Sequence, residues 1–454
     1  MDRREWLAAA GALGAALPAE GQTRKPNFVV IMSDDQGSHD LGCYGAQDVK
    51  TPHIDQLADS GVRFTNWYSC APVCAPARAA LQTGRYPVRA GVGTNGRPLG
   101  LQQHTLASRL KTAGYSTGLI GKWHLGDTPD TVPNARGYDY FHGFLPGCVD
   151  FYSHIYYWGE SNPQNRTVNF HSLFRNREEI WEDGQYLTER ITEESVGFIE
   201  KHKAEPFLLC VTFNAVHYPM HAPEKYKKRF PNLPPERQTY AAMLAAMDDG
   251  VGAIRKALER HGLLENTLIF FVADNGATTE PRAGLNQQPA TAGDNGVYRG
   301  FKFSLFDGGM HVPGMMSWPA RIKPGQVSPE LAMTMDIAPT IWQAAGVPPE
   351  AGYVVDGRDI LPVAAQGAKS PHGTIFWENG EQAAARKGRW KLVLKGNEYG
   401  RTAETRGEMK GDDAVWLSDL EADPSERRNL RHAHPEIADE LQSAIHAWKE
   451  DTRK

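Results

Sequence analysis

Five short apolar runs, each closing on a polar or charged cluster, constrain this chain more than any other feature. They are Asn27–Asp35 (NFVVIMSDD), Tyr115–Gly126 (YSTGLIGKWHLG), Pro206–His221 (PFLLCVTFNAVHYPMH), Asn266–Gly276 (NTLIFFVADNG) and Met310–Pro319 (MHVPGMMSWP). A strand wetted on one face alternates apolar and polar residues, whereas a nearly continuous apolar run fits a strand buried on both faces. Helical patterns lie between the runs, at Thr188–Lys203 and Tyr240–His261. Strand and helix in alternation predict an α/β fold: a large, mostly parallel mixed sheet sandwiched by helices. In such sheets ligands collect beyond the carboxyl ends of the strands, and the polar clusters fall there.

From about Gly346 the texture changes. GVPPEAGYVVDGRDILP is turn-rich and linker-like. GTIFWENG, GRWKLVLKG and AVWLSDL read as short strands. Trp390, Leu392 and Leu394 alternate with Lys391, Val393 and Lys395, roughly as in a half-exposed strand. Ile437, Leu441, Ile445 and Trp448 fall on one helical stripe, a packing face. The expected organisation is a catalytic domain over residues 22–345. A linker and a smaller C-terminal α+β unit, with a short antiparallel sheet and a terminal helix, follow over 346–454.

Residues 1–21 read as an export signal, with Arg3 and Arg4, an apolar run from Trp6 to Pro18 and small residues around Ala19. The run is too short for a stable membrane span. The arginine pair followed by Glu5, Trp6 and Leu7 resembles a bacterial twin-arginine signal; an ordinary secretory signal is the alternative. Either predicts a periplasmic or extracellular protein that meets the export machinery. At 454 residues, 41% hydrophobic and 23% charged, the chain is neither disordered nor a multi-span membrane protein. A net charge of −5 gives no expectation of nucleic acid. Five cysteines, at 43, 70, 74, 148 and 210, are too few for a disulfide scaffold, and the odd count leaves one thiol unpaired or chemically altered.

CAPARAALQTGR, Cys74 to Arg85, reads as a helix. Pro76 suits its first turn, the alanines and Leu81 propagate it, and Gly84 stops it. Cys74 then sits at a positive helix mouth, with Arg78 one turn on. That suits an anionic ligand or an activated nucleophile; a small buried thiol is the plainer reading. Asp34 and Asp35 close the first run, and Asp274 and Asn275 close another. Adjacent carboxylates repel unless a cation neutralises them, although one such pair alone reads as a solvated turn. Converging at strand ends, the two pairs make an all-oxygen pocket for Ca²⁺ or Mg²⁺, with Ca²⁺ preferred because it tolerates irregular geometry.

Lys122 and His124 share a side if GKWHLG is extended. They can then bind an oxyanion and move a proton; a surface lysine beside a packed histidine fits equally well. His217 and His221 bracket HYPMH, a spacing zinc would accept, but no thiolate or third histidine accompanies them. Lys302, in YRGFKFSLFDGG, lies among glycines that permit close ligand approach, with a solvated loop lysine as the alternative. Together Arg78, Lys122, Lys302, His124 and His217 form a cationic ring around an anionic cup, with Cys74 between. This is equipment for hydrolysing an ester of a tetrahedral oxyanion.

These motifs resemble those of the type I, formylglycine-dependent sulfatases, the arylsulfatase family of the alkaline phosphatase superfamily. CAPARAALQTGR is similar to the signature Cys-x-Pro-Ser/Ala-Arg followed by Thr-Gly-Arg, with Ala77 at the position where serine is commoner. GKWHLG is similar to the family's second motif. IMSDDQGSHDLGCYG, FVADNG, RGFKFSLFDGGMHVPGMMSWP and the tail WLSDLEADPSERRNL follow in the family's order. His311 stands where an arginine is frequent, a departure expected to touch the substrate side.

The resemblance implies that a formylglycine-generating maturation enzyme oxidises Cys74 to an aldehyde. A thiolate or serine attacking a sulfate ester would end up sulfated, whereas the hydrated aldehyde keeps a second hydroxyl whose deprotonation expels sulfate. It further implies one Ca²⁺ per chain on Asp34, Asp35, Asp274 and Asn275, completed by residue 74. Arg78 would pin the hydrated aldehyde, Lys122 bind sulfate and His124 serve as base. His217 and Lys302 would bind sulfate and protonate the leaving oxygen. The expected activity is sulfuric ester hydrolysis of a sulfated carbohydrate or aryl sulfate. A phosphoesterase or phosphonate monoester hydrolase of the same superfamily is one alternative, and a non-catalytic glycan-binding protein on this scaffold is another. Gly93–Gly100 and Gly143–Trp158 are expected, by analogy, as rim loops.

Overall fold

The first apolar run becomes a strand buried at every position, because it has neighbours on both edges and helices on both faces. The structure is a computed structural model. It describes residues 24–157, 170–402 and 405–454, so the expected export signal and Trp158 lie outside the described residues. The strands are β1 (Asn27–Ser33), β2 (Val62–Tyr68), β3 (Ser116–Lys122), β4 (Tyr140–Phe144), β5 (Phe174–Arg175), β6 (Glu178–Glu179) and β7 (Phe207–Thr212). They continue with β8 (Thr267–Ala273), β9 (Gly314–Ser317), β10 (Gln326–Met333), β11 (Thr374–Asn379), β12 (Gln382–Lys387), β13 (Trp390–Leu394) and β14 (Val415–Asp419).

Ten of them form one sheet in the order β10-β2-β9-β8-β1-β7-β3-β4-β5-β6. The run β8-β1-β7-β3-β4 is parallel throughout; β9 and β5 run against their neighbours. Alternate residues of β1 go to opposite faces, as a pleated strand requires. Val29 and Ile31 pack under helices Leu187–His202 and Pro235–Arg260. Phe28, Val30 and Met32 pack under helices Cys74–Thr83, Leu106–Lys111 and Ile337–Ala344. Both faces being covered explains why these runs lack polar alternation. The helix predicted at Tyr240 begins earlier, at Pro235, where a proline's fixed φ suits the first turn.

Register brings the polar strand ends together. Ser33 pairs with Ala273, so Asp34 and Asp274 leave the sheet side by side. Gly121 of β3 has φ +116°, and a Cβ there would meet the Thr212 carbonyl oxygen at 1.9 Å. Glycine alone permits that approach to β7, one residue before Lys122.

The C-terminal region carries a separate antiparallel meander, β11-β12-β13-β14. Helix Pro435–Thr452 covers one face through Ala438, Leu441 and Ile445, as the stripe predicts. Trp448 instead stacks on Phe376, at 5.3 Å and 9°. The other face packs on the large-sheet unit through Ile375, Trp377, Ala384 and Val393. One expectation needs correction here. Sandwiched this way, β13 is not half-exposed: Lys391 is 0% exposed and bonds Asp307 (2.5 Å) and Glu426 (3.1 Å). The turn-rich segment after Gly346 is held against the large-sheet unit: Asp356 and Gly357 donate to the Gly84 carbonyl, and Asp356 pairs with Arg89 (3.0 Å).

Removing one member of a buried ion network leaves charge uncompensated. Lys391→Met is therefore expected to lower unfolding stability by about 3–5 kcal/mol in denaturant titration. A loss under about 1 kcal/mol, the range of a surface pair, would contradict a structural role for this lysine.

Candidate active site

Helix Cys74–Thr83 forms where the sequence predicts it, with Cys74 as its first residue. Its stop is Gly84 in the left-handed region (φ +66°), whose N–H returns to the Ala80 carbonyl. The helix points its start at the carboxyl ends of β1 and β8, and all the predicted residues gather there. Asp34, Asp35, Cys74, Arg78, Lys122, His217, Asp274, Asn275 and Lys302 are buried, and His124 is half-buried.

Each of the three aspartates lies against at least one cation. Lys122 Nζ lies 2.6 Å from Asp34 Oδ2, and Arg78 Nη2 3.5 Å from the same oxygen. Arg78 Nη2 also donates to Asp274 Oδ2 (3.0 Å), while Nη1 holds the Lys122 carbonyl (3.1 Å). Lys302 Nζ bonds Asp35 Oδ2 (2.9 Å). The Asp35 N–H donates to Asp274 Oδ1 (3.1 Å), and Asn275 Nδ2 donates to Asp35 Oδ1 (2.8 Å). Cys74 Sγ stands 3.7 Å from Asp34 Oδ1.

Burial would raise Asp34, but Lys122 and Arg78 outweigh it and hold this carboxyl below its usual range. Burial pushes Asp35 up to about 7; Lys302 opposes the rise, and the Asp34 and Asp274 charges add to it. Asp274 rises to about 6, by burial and the Asp34 charge against Arg78. Among the described residues, Asn275 Oδ1 is buried without a hydrogen-bond partner. Mutually repelling carboxylates and an orphaned carbonyl oxygen are the donor set of a hard divalent cation. The residues present fit a Ca²⁺ ion.

His217 Nδ1 lies 2.7 Å from the Tyr218 carbonyl, which can only accept. The proton therefore sits on Nδ1, and Nε2 offers its lone pair to Lys302 Nζ at 3.4 Å. His221 does not join it; this ring lies 3.2 Å from Asp150, so the two histidines do not share a metal. β3 ends at Lys122, and His124 adopts φ +58° rather than continuing the strand. It still reaches a cavity of about 310 Å³ shared with Cys74, His217 and Lys302. Burial lowers both histidines well below their usual value, and the neighbouring lysines add to this, so both are neutral bases near pH 7.

Asn95 and Gly96 wall this cavity on one side, and Gly147, Cys148 and Tyr156 on another, from both expected rim segments. Asn95 Oδ1 accepts the Ala75 N–H (3.0 Å), one of the donors a helix start leaves free. His311 is not among the residues that line this cavity. It lines a separate space of about 510 Å³ between the two sheets, with Nε2 bonded to the Thr65 carbonyl (2.9 Å).

Sequence reasoning missed Glu280. Its Oε2 lies 2.8 Å from Lys302 Nζ, and its Oε1 accepts from the Tyr218 hydroxyl (3.2 Å). A single carboxylate in a loop after Asn275 carries no pattern that would flag it. The C-terminal sheet was also missed as a positioning element. Asn379 and Gln382 side chains both donate to the Phe303 carbonyl (2.7 and 3.0 Å), fixing the residue after Lys302.

An anionic cup ringed by cations, with a helix-mouth position facing it, defines a hydrolase for esters of tetrahedral oxyanions. Comparison with known proteins is specific. Residues 26–347 match the Sulfatase family, and residues 293–451 match the N-sulphoglucosamine sulphohydrolase C-terminal family. Arylsulfatase J of Mus musculus is 30% identical over 465 residues, covering 92% of this chain and 75% of that protein. The N-acetylgalactosamine-6-sulfatase of Canis lupus familiaris is 32% identical over 475 residues, covering 94% and 86%. The solved structure of Ps i-CgsB in complex with k-i-k-neocarrahexaose has a TM-score of 0.82 at 30% identity, covering 94% of each chain. This chain belongs to the sulfatase family and is a sulfuric ester hydrolase. The phosphoesterase and non-catalytic readings are set aside.

The raised Asp35 carboxyl has a testable sign in protein stripped of divalent ions. In the unfolded chain this group ionises near about 3.9; in the fold it holds its proton to about 7. Its stabilising contribution is thus full at low pH and lost as pH rises through 7. Asp35→Asn never ionises, so its Tm relative to the native protein is expected to climb between pH 5 and pH 8. A pH-independent difference would mean that Asp35 ionises freely in the fold.

Proposed function

We propose that the protein is an exported sulfatase that removes sulfate from a sulfated carbohydrate, with formylglycine at position 74 and one Ca²⁺ per chain. The observation that carries this reading is the charge balance around Cys74. Asp34, Asp35, Asp274 and Glu280 supply four carboxylates, against the three cations Arg78, Lys122 and Lys302. A divalent ion leaves one net positive charge, which a monoanionic sulfate ester neutralises. A phosphate monoester dianion would overshoot it.

Ca²⁺ on Asp34, Asp35, Asp274 and Asn275 would supply Lewis acidity toward a sulfate oxygen and toward a hydroxyl of residue 74. Formylglycine would supply geminal hydroxyls, one to attack sulfur and one whose deprotonation releases sulfate. Arg78 orients residue 74 and holds Asp34 and Asp274 in place. Lys122 and Lys302 bind sulfate oxygens, since each is buried and keeps its ammonium charged through its aspartate. His124 takes the proton from the second hydroxyl. His217 and Lys302, 3.4 Å apart, hold the proton that the leaving oxygen needs.

Cys74 is 1% exposed, so the maturation enzyme has to act before the fold closes over it. Export is supported by residues 1–21. Among the described residues no helix is long and apolar enough to cross a membrane. A carbohydrate substrate is supported by a cavity wall of mixed polarity that includes Tyr156 and Tyr218, and by the sugar-sulfate relatives. On this reading residues 22–345 carry the catalysis, and 346–454 brace the Lys302 loop.

Lys302→Ala is expected to lower kcat on an aryl sulfate by on the order of a hundredfold or more with the fold retained by circular dichroism; near-normal turnover would remove Lys302 from the mechanism. The peptide spanning Cys74 should have the lower mass of the aldehyde in active protein, and an intact thiol there would overturn the proposed cycle. Chelation should abolish turnover, with Ca²⁺ restoring it. A panel of defined sulfated oligosaccharides, scored for released sulfate against an aryl phosphate control, identifies the substrate.

A further inference from the structure

A second cluster of donors lies outside the acidic cup. His154, His171 and Asp183 bring one ligand atom each within 4.8 Å of one another. We propose that these three side chains form a zinc site that fastens one wall of the catalytic cavity.

His154 is 0% exposed; its ring faces the Gln185 backbone, and among the described residues neither ring nitrogen makes a hydrogen bond of full geometry. A buried imidazole without such a bond at either nitrogen is rare, because each desolvated polar atom is costly to leave unmade. The His171 ring is 4% exposed, and its Nδ1 lies 2.9 Å from Glu179 Oε1. An ionised carboxylate only accepts, so Nδ1 carries the proton and Nε2 keeps its lone pair. That Nε2 is also buried and, among the described residues, without a hydrogen-bond partner. A carboxylate holding the far nitrogen of an imidazole is the arrangement that orients histidine ligands of zinc. Trp181 stacks on the same ring at 3.9 Å and 13°, fixing its plane. Asp183 is exposed and supplies an anionic oxygen to the cluster.

The backbone sews the three positions together. The Ser172 N–H donates to the His154 carbonyl (3.0 Å), and the Gly184 N–H donates to the Tyr152 carbonyl (2.9 Å). His154 itself is held at φ +55°, in the left-handed region, where a non-glycine residue signals a conformational constraint. Two imidazoles and one carboxylate form the N/O set of a tetrahedral zinc ion, with water as the fourth ligand. The set is chemically unlike the all-oxygen cup, so the two sites sort ions by ligand type. His154 sits between Cys148 and Tyr156, both of which wall the Cys74 cavity. An ion here would tie that wall to the strand pair β5–β6 and set its rigidity.

The test reads metal content rather than turnover, so its failure is separable from failure of the sulfatase reading. Full-length protein in millimolar Ca²⁺ is dialysed against limiting ZnCl₂, and bound zinc is measured by mass spectrometry of the elements. One zinc per chain is expected, and Co²⁺ in its place should give the visible absorption of a tetrahedral site. Asp183→Asn and His171→Gln are expected to weaken zinc binding at least tenfold. Glu179→Gln should weaken it about 10–100-fold, through the orientation of His171. Because His154 is buried and its variant can misfold, the exposed positions Asp183 and Glu179 carry the decision. Zinc binding unchanged in Asp183→Asn and Glu179→Gln, or no zinc retained by the native chain, overturns the proposal.

Discussion

Three aspartates buried at the ends of β1 and β8 set the terms for the rest of the molecule. Taking a carboxylate out of water costs several kcal/mol unless a partner is in place. Asp34, Asp35 and Asp274 are each 1% exposed or less. Their cations come from three different elements. Arg78 comes from the helix after β2, Lys122 from the last residue of β3, and Lys302 from the loop before β9. Charge compensation therefore requires the tertiary fold to close before any of these groups is tolerated. On the proposed reading, the same compensation is what a sulfate ester would meet as a pre-arranged binding surface.

The compensation is incomplete where the chemistry needs it to be. Lys122 and Arg78 hold Asp34 ionised, whereas Asp35 and Asp274 stay raised to about 7 and 6. Among the described residues, Asn275 keeps an oxygen without a donor. A site balanced for stability alone would pair these groups fully; here a share of unfavourable energy is retained, of the kind that strained functional sites keep. The surroundings absorb that cost. The large sheet is apolar on both faces, and the smaller antiparallel sheet presses a second core against it. The buried Lys391–Asp307–Glu426 cluster and the Asn379 and Gln382 bonds to Phe303 link that second core to the Lys302 loop. The C-terminal unit is thus part of how the site holds its shape.

Much of this was legible in the sequence, for reasons that differ by residue. β1, β3, β7, β8 and β9 announced themselves because strands buried on both faces must be apolar throughout. β2 did not, because Arg63, Thr65 and Asn66 remain half-buried at the sheet margin and dilute its pattern. Cys74, Arg78 and Gly84 were legible because helix starts and stops use few residue types. The alternation in β13 misled, since periodicity reports two faces but not what covers each of them. His311 shows a different limit, because a motif position does not specify which cavity the side chain enters.

What the sequence by itself determined is local: which runs are strands, where the cysteine helix begins and ends, and which side chains have chemistry to offer. These follow from propensity and hydrophobic period, which act over a few residues. Only the tertiary structure decided the pairings. Ser33 opposite Ala273 makes two distant acidic pairs one cup, Glu280 reaches Lys302 across a loop, and the buried His154 meets His171 and Asp183. Electrostatic compensation and ligation depend on distances of a few ångströms between residues far apart along the chain, and no local pattern encodes those distances.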